Sequence, residues 1–305
     1  MPEPGPSPGK RTLGLPRALA PYAFVVPPLA FLALFMFWPL GREIWMSLTD
    51  TTLLRPNSGR FVGVANYRRL LSDANLLNAL KITLIYTIGS VVFGVAIGMI
   101  AALAIDRPFR GRSIARSVLL FGWAVPSVAT ALVWTWMFNE HSGVLDTITA
   151  GLGLGRVPWL TSVDVAMLSL LTVTVWQVAP FVMLVLLAAL QSVPEEAREA
   201  ARIDGADALS VFRAVTLPHI MPAVQLAGLL VAVWSIRRFD TIFLLTGGGP
   251  LDSTATLVVK LRQVAFENHQ LGMAGAYGTI GLVLALLVGA LHYTADRRRM
   301  RWTAP

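Results

Sequence analysis

Three ionisable residues, Arg237, Arg238 and Asp240, stand within four positions of one another in an apolar stretch, with Trp234 one turn ahead of them. Gln177 lies in the middle of another apolar run. Guanidinium, carboxylate, amide and indole groups hydrogen-bond to and stack against hydroxyl-rich solutes, so these five residues form the candidate ligand-contacting set. The competing reading is an ion pair that snorkels to a nearby surface. Covalent chemistry has no comparable support. The four histidines, His141, His219, His269 and His292, are scattered without ligand spacing, and there is no cysteine to supply a thiolate, a nucleophile or a disulfide. A phosphate-binding glycine loop, a paired-histidine zinc helix and a serine elbow are all missing from the sequence. The expectation is a protein that is not an enzyme and holds no metal or cofactor of its own.

The elements that must position this set are membrane helices. Of the 305 residues, 55% are hydrophobic and only 14% charged, with a positive mean hydropathy, a composition outside that of soluble globular domains. Crossing roughly 30 Å of hydrocarbon takes about 20 helical residues. Runs of that length predict six spans, at 22–48, 79–105, 113–138, 164–190, 219–245 and 272–293, and hence an all-α membrane protein. The first is longer than a signal-peptide core and is read as an uncleaved span. Counted from Ala223, Arg237 falls roughly 21 Å along the fifth span, where a guanidinium needs a partner or water. Asp240, three residues on, is the expected partner. Pro126 and Pro180 fall near the midpoints of the third and fourth spans and predict helix breaks, either cavity walls or simple packing kinks.

Residues 1–21 are proline-rich and basic and are expected to be a disordered tail, followed by one helical domain over 22–293 and a basic tail over 294–305. The formal charge of +8 sits at the ends of apolar runs, which points to membrane orientation and away from nucleic acid. With six spans, 14 Lys and Arg fall on the side shared by the two termini and 7 on the other. That bias places both termini in the cytoplasm.

The longest polar segment on the cytoplasmic side covers 192–222. Ser192 with Glu195 has the spacing of a capping box, Pro194 suits a first turn and Gly205 a helix stop, predicting a helix of about 12 residues. Asp207 can cap a second helix that Pro218 would end. Ala197, Ala200 and Ala201 make a small-residue stripe, with Glu195 to Arg198 and Glu199 to Arg202 as flanking pairs.

The string EAARIDGA over 199–206, followed by Phe212 and then by Leu217 and Pro218, resembles the EAA loop of permease subunits of binding-protein-dependent ABC importers. FVGVANYRRLLSD at 61–73 is similar to the outer segment before the second span, and FDTIFLLTGGGP at 239–250 to the end of the fifth span, of the carbohydrate-uptake class typified by maltose and glycerol-phosphate permeases. The resemblance implies the ABC importer permease fold in a bacterial inner membrane, with Glu199, Ala200, Ala201, Asp204, Gly205, Ala206, Leu217 and Pro218 coupling to a cytoplasmic ATPase. It implies as partners a second homologous permease, a dimer of ATP-binding subunits and an extracytoplasmic solute-binding protein. ATP would be bound by the partner subunit, and the cargo would be a sugar or sugar-like solute, with a polyol or glycerol phosphodiester as the alternative. A secondary transporter or channel is the rival outside this class. Gln177, Trp234, Arg237, Arg238 and Asp240 would then line the translocation pathway.

Overall fold

A computed structural model describes residues 20–56, 59–153 and 155–303. The tail expected over 1–21 lies outside the described residues except for its last two. By its contacts the chain divides into a unit ending at Trp45 and a second beginning at Met46. The first unit carries α1 (Ala20–Leu32), a π turn at Ala33–Phe37 and the start of α2 (Trp38–Ser47). Together these form an apolar span, Phe24–Ser47, where 22–48 is predicted.

In the second unit the segment after α2 is pinned by its own side chains. Asn66 Nδ2 donates to the carbonyls of Ser47 and Thr49, both at 2.8 Å, and the hydroxyls of Tyr67 and Ser47 lie 2.5 Å apart. Asn66 and Tyr67 open α3 (Ala65–Leu71), after which Asp73 caps α4 (Ala74–Asp106) by accepting from Asn75 N–H. Next come α5 (Arg112–Ala124), α6 (Ser127–Met137), the short α7 (Val144–Gly151) and α8 (Ala166–Leu190). The loop at 192–222 holds α9 (Glu195–Ile203) and α10 (Ala208–Val211), and α11 (Leu217–Ile236) follows. Two short helices, α12 (Asp240–Thr246) and α13 (Leu257–Arg262), precede α14 (Leu271–Thr303), whose backbone stays helical through much of the expected basic tail.

The centre of this unit is α8, which is apolar all round and 67% buried over its most hydrophobic window, as a helix enclosed by others must be. It packs on α4 at glycines. A Cβ added to Gly98 would lie 2.6 Å from Val182 Cβ, one on Gly94 3.0 Å from Val178, and one on Gly89 2.9 Å from Leu171. Small residues let membrane helices approach closely, where dispersion and packing drive association. Met183, Leu186, Leu190, Ile220 and Val231 then fill the space between α4, α8 and α11.

The third predicted span follows the expectation set by its proline, whereas the fourth and fifth do not. The third is broken, with α5 and α6 meeting at 97°. Val125, forced out of the helical region by the proline after it, has ψ 130° and ends α5, and Pro126 precedes the first turn of α6. The fourth is not broken, because α8 runs through Pro180. Proline there removes the hydrogen bond to the Trp176 carbonyl, and α5 covers the exposed group: a Cβ on Gly122 would sit 2.9 Å from that oxygen. The fifth ends early. α11 stops at Ile236, and Arg237, Arg238 and Phe239 form a turn before α12 begins.

Candidate functional site

Both helix breaks face Gln177. Its Oε1 accepts from Arg238 Nη1 at 2.5 Å, and its Nε2 donates to the Val125 carbonyl at 3.4 Å, an acceptor freed by the end of α5. One buried amide on α8 thereby joins the turn after α11 to the break between α5 and α6. Arg238 Nη1 also reaches Thr241 Oγ1 at 3.4 Å, whereas its Nε is buried without a partner.

A cavity of about 460 Å³ opens between these elements, within the size range of small-ligand sites. Gln177, Trp234, Arg237, Arg238 and Asp240, the five residues singled out by composition and position, all line it. The expected pair of Arg237 with Asp240 is not formed. Asp240, in the first turn of α12, accepts instead from Ser127 Oγ at 3.0 Å, and no ion pair engages Arg237 among the described residues. The reason is the turn at 237–239: three residues apart on a continuous helix share a face, and the break removes that geometry. Trp123, Ser127, Phe239 and Thr241 complete the polar and aromatic wall and were not predicted. The signal for Trp123 and Ser127 was Pro126, since a break there exposes the residues flanking it, whereas Phe239 and Thr241 flank the turn at 237–239, which no proline or glycine marks. Phe181 stands behind the wall, 4.8 Å from Trp234 and 5.9 Å from Trp123 between ring centroids.

The loop at 192–222 lies at the other end of α8 and α11. Gly205, at φ +86°, ends the turn after α9 in the left-handed region that glycine adopts without a Cβ penalty. α9 has nine residues, shorter than predicted, because Ser192 does not cap it: its hydroxyl donates back to the Ala189 carbonyl at 2.7 Å, and Pro194 occupies the cap position. Glu195 pairs with both Arg198 at 3.4 Å and Arg202 at 3.3 Å, leaving Glu199 and Asp204 exposed. Arg198 also donates to the Leu190 carbonyl at 3.0 Å, fastening α9 to the end of α8. Ala197 and Ala200 are exposed, and Ala201 and Ala206 half-buried.

Asp207 caps α10 through Ser210 N–H at 2.9 Å, as expected. Hydrogen bonds from Ser210, hydroxyl first and backbone second, hold its carboxyl below the ordinary aspartate range. Pro218 does not end a helix. A π turn at Phe212–Thr216, in which Leu217 N–H reaches the Phe212 carbonyl, carries the chain into α11 with Pro218 in its first turn, where a missing N–H costs nothing. Leu217 is half-buried against the core beneath the loop. A second cavity of about 790 Å³ separates this loop from the end of α4, between Asp106 and Arg107 on one side and Glu195, Arg198 and Phe212 on the other. No cluster of His, Asp or Glu able to hold a metal ion is present among the described residues.

Five long apolar helices among the described residues, six if the bent α5–α6 pair counts as one span, together with a cavity at two helix breaks define a multi-pass helical membrane protein. Residues 94–301 match the family described as binding-protein-dependent transport system inner membrane component, and the chain belongs to that family. It is 35% identical over 268 residues to a probable ABC transporter permease protein of Sinorhizobium fredii, covering 88% of this chain and 86% of that protein. To the trehalose/maltose transport system permease protein MalF of Thermococcus litoralis it is 33% identical over 267 residues, covering 88% and 89%. Its fold is that of an ABC importer permease. The structure of a bacterial ABC transporter involved in the import of the acidic polysaccharide alginate superposes with a TM-score of 0.80 at 21% identity, covering 92% of this chain and 96% of that one.

Proposed function

We propose that this chain is the membrane-spanning subunit of an ATP-driven importer and forms half of the pathway for a sugar or sugar-like solute. Family membership together with the naming of a trehalose/maltose permease among its relatives carries this reading. The Gln177 cavity is the part of the pathway contributed by this chain. Its aromatic faces and hydrogen-bonding groups suit a polyhydroxylated cargo.

The remaining assembly follows from the same reading: a second homologous permease, a dimer of ATP-binding subunits in the cytoplasm, and an extracytoplasmic solute-binding protein. The chain itself binds no ATP and performs no hydrolysis. It lies in the inner membrane with both termini cytoplasmic, as the charge bias favours. The loop at 192–222 is the ATPase-coupling element, and two rods leave it. α8 joins it at Leu190, where Arg198 grips the last turn, and places Gln177 about 20 Å away at 1.5 Å per residue. α11 leaves it at Leu217 and ends at the Arg237 turn. A displacement of α9 by a closing ATPase would thus reach both walls of the cavity through continuous helix.

Purification of the chain from its native membrane tests the reading. The ATP-binding subunits and second permease should co-purify, and a loaded solute-binding protein should stimulate ATP hydrolysis. Ion-gradient-driven transport by the chain alone would sink it.

A further inference from the structure

We infer that the cargo carries an anionic group, as in a carboxylate- or phosphate-bearing saccharide, and that Arg237 and Arg238 meet this charge as it passes. The inference rests on the importer reading above.

Two guanidinium groups and one carboxylate line the cavity, and among the described residues the carboxylate forms no ion pair with either cation. Asp240 is turned to Ser127 at 3.0 Å. Arg238 is held by a neutral amide and a neutral hydroxyl, with its Nε buried and unpartnered. Arg237 is exposed on the cavity wall, and its side chain has no hydrogen bond or ion pair among the described residues. This contrasts with the segment just beyond, where Lys260 pairs with Asp252 at 2.7 Å and Arg262 with Glu267. Cations at membrane depth are costly unless paired, and those facing a cavity mark a pathway or the counter-charge of a ligand. The planar guanidinium fork presents parallel donors that match carboxylate and phosphate oxygens, a match that hydroxyls do not reproduce.

Two further features suit such a cargo. Ser127 opens α6, an 11-residue helix whose first N–H groups add positive potential at the cavity wall. Trp123 and Trp234 offer ring faces to the uncharged part of a saccharide. A neutral sugar would leave the guanidinium charge uncompensated once water is displaced.

The test uses the complete importer, reconstituted in liposomes with its partner permease, ATP-binding subunits and solute-binding protein. ATP-dependent uptake is compared for digalacturonate, trehalose 6-phosphate and neutral trehalose. At least one anionic probe should be carried, preferred over trehalose by about tenfold or more, and which one is carried separates a carboxylate from a phosphate requirement. Arg237→Gln should reduce that uptake by about tenfold and Arg237→Lys by clearly less, because the charge stays while the fork is lost, an ordering that a folding defect would not produce. Failure to carry either anionic probe, or an Arg237→Gln complex that imports them at the original rate, overturns the inference. In either case, co-purifying ATP-binding subunits and hydrolysis stimulated by the binding protein would leave the importer reading standing.

Discussion

Asp240 Oδ2 accepts a hydrogen bond from Ser127 Oγ at 3.0 Å across 113 residues of sequence, tying the first turn of α12 to the first turn of α6. Each partner belongs to a helix that starts just after a break, so the bond fixes the two broken spans relative to each other at the cavity. Hydrogen bonds to charged groups stabilise by about 1.5–3 kcal/mol when buried, and both groups here are partly exposed, which lowers the expectation to about 1 kcal/mol. Ser127→Ala and Asp240→Leu should each reduce transport several-fold without loss of assembly. Combining them should cost little more than one alone, as a double-mutant cycle of uptake rates would show.

The Gly98 contact sets the spacing of α4 and α8. Gly98→Val should destabilise the complex by about 1–3 kcal/mol, because its side chain would overlap Val182 and the Ala179 carbonyl. Val182→Ala should recover part of the loss. Thermal stability of the detergent-solubilised complex measures both, and an unshifted transition for Gly98→Val would show that the helices are not packed at this point.

Five of the cavity residues were legible because polar groups in apolar runs are expensive and therefore few: Gln177, Arg237, Arg238 and Asp240 stood out on that ground, with Trp234 one turn ahead of the cluster. The end of α11 was not legible. Ile236, Arg237, Arg238 and Phe239 include neither proline nor glycine, and the turn forms where Arg238 leaves the helix line to reach Gln177, a long-range contact that propensity does not encode. The two prolines show the same division. Pro126 restricts the residue before it and breaks the chain locally, whereas the consequence of Pro180 depends on Gly122 of another helix covering the freed Trp176 carbonyl. In the loop, Gly205 and Asp207 act through their own backbone and were read correctly, while the partner of Arg202 was set by side-chain reach and turned out to be Glu195.

Asp207 gives the loop a pH dependence of defined sign. Its carboxyl titrates below the ordinary aspartate range because the charged form accepts from Ser210. The stabilisation is therefore complete above the unfolded aspartate range and is lost as pH falls through the lower folded value. Protection of the Ser210 amide from hydrogen exchange, corrected for intrinsic rates, should decline in that acidic window. Asp207→Asn should flatten the profile, and an equally steep profile in that variant would assign the titration to another group.

Arg198 holds α9 to α8 through the Leu190 carbonyl at 3.0 Å, and it also pairs with Glu195. Arg198→Met keeps much of the aliphatic volume and removes both interactions. The expected result is separation of ATP hydrolysis from transport: stimulated hydrolysis remains within about twofold, while uptake per ATP drops about five- to tenfold, corresponding to about 1–1.4 kcal/mol of lost coupling. Equal losses in both would show that Arg198 contributes to assembly and not to transmission.

The last prediction concerns Gly205, whose φ of +86° turns the chain from α9 toward the Asp207 cap. A Cβ at this position meets nothing within 4 Å, so any penalty for alanine comes from backbone conformation alone. Holding a non-glycine residue there costs of order 1–2 kcal/mol, and proline, fixed near −65°, cannot adopt it. Gly205→Ala should leave a folded loop that binds the ATP-binding subunits more weakly, and Gly205→Pro should reorient α9 and abolish their co-purification. Ala200→Trp provides the complementary change, filling an exposed position on the small-residue face while sparing the turn. All three variants should still insert their spans, which protease-protection mapping would verify. If Gly205→Pro and Ala200→Trp both retain the ATP-binding subunits, stimulated hydrolysis and uptake, the loop at 192–222 is not where the ATPase motion enters this subunit.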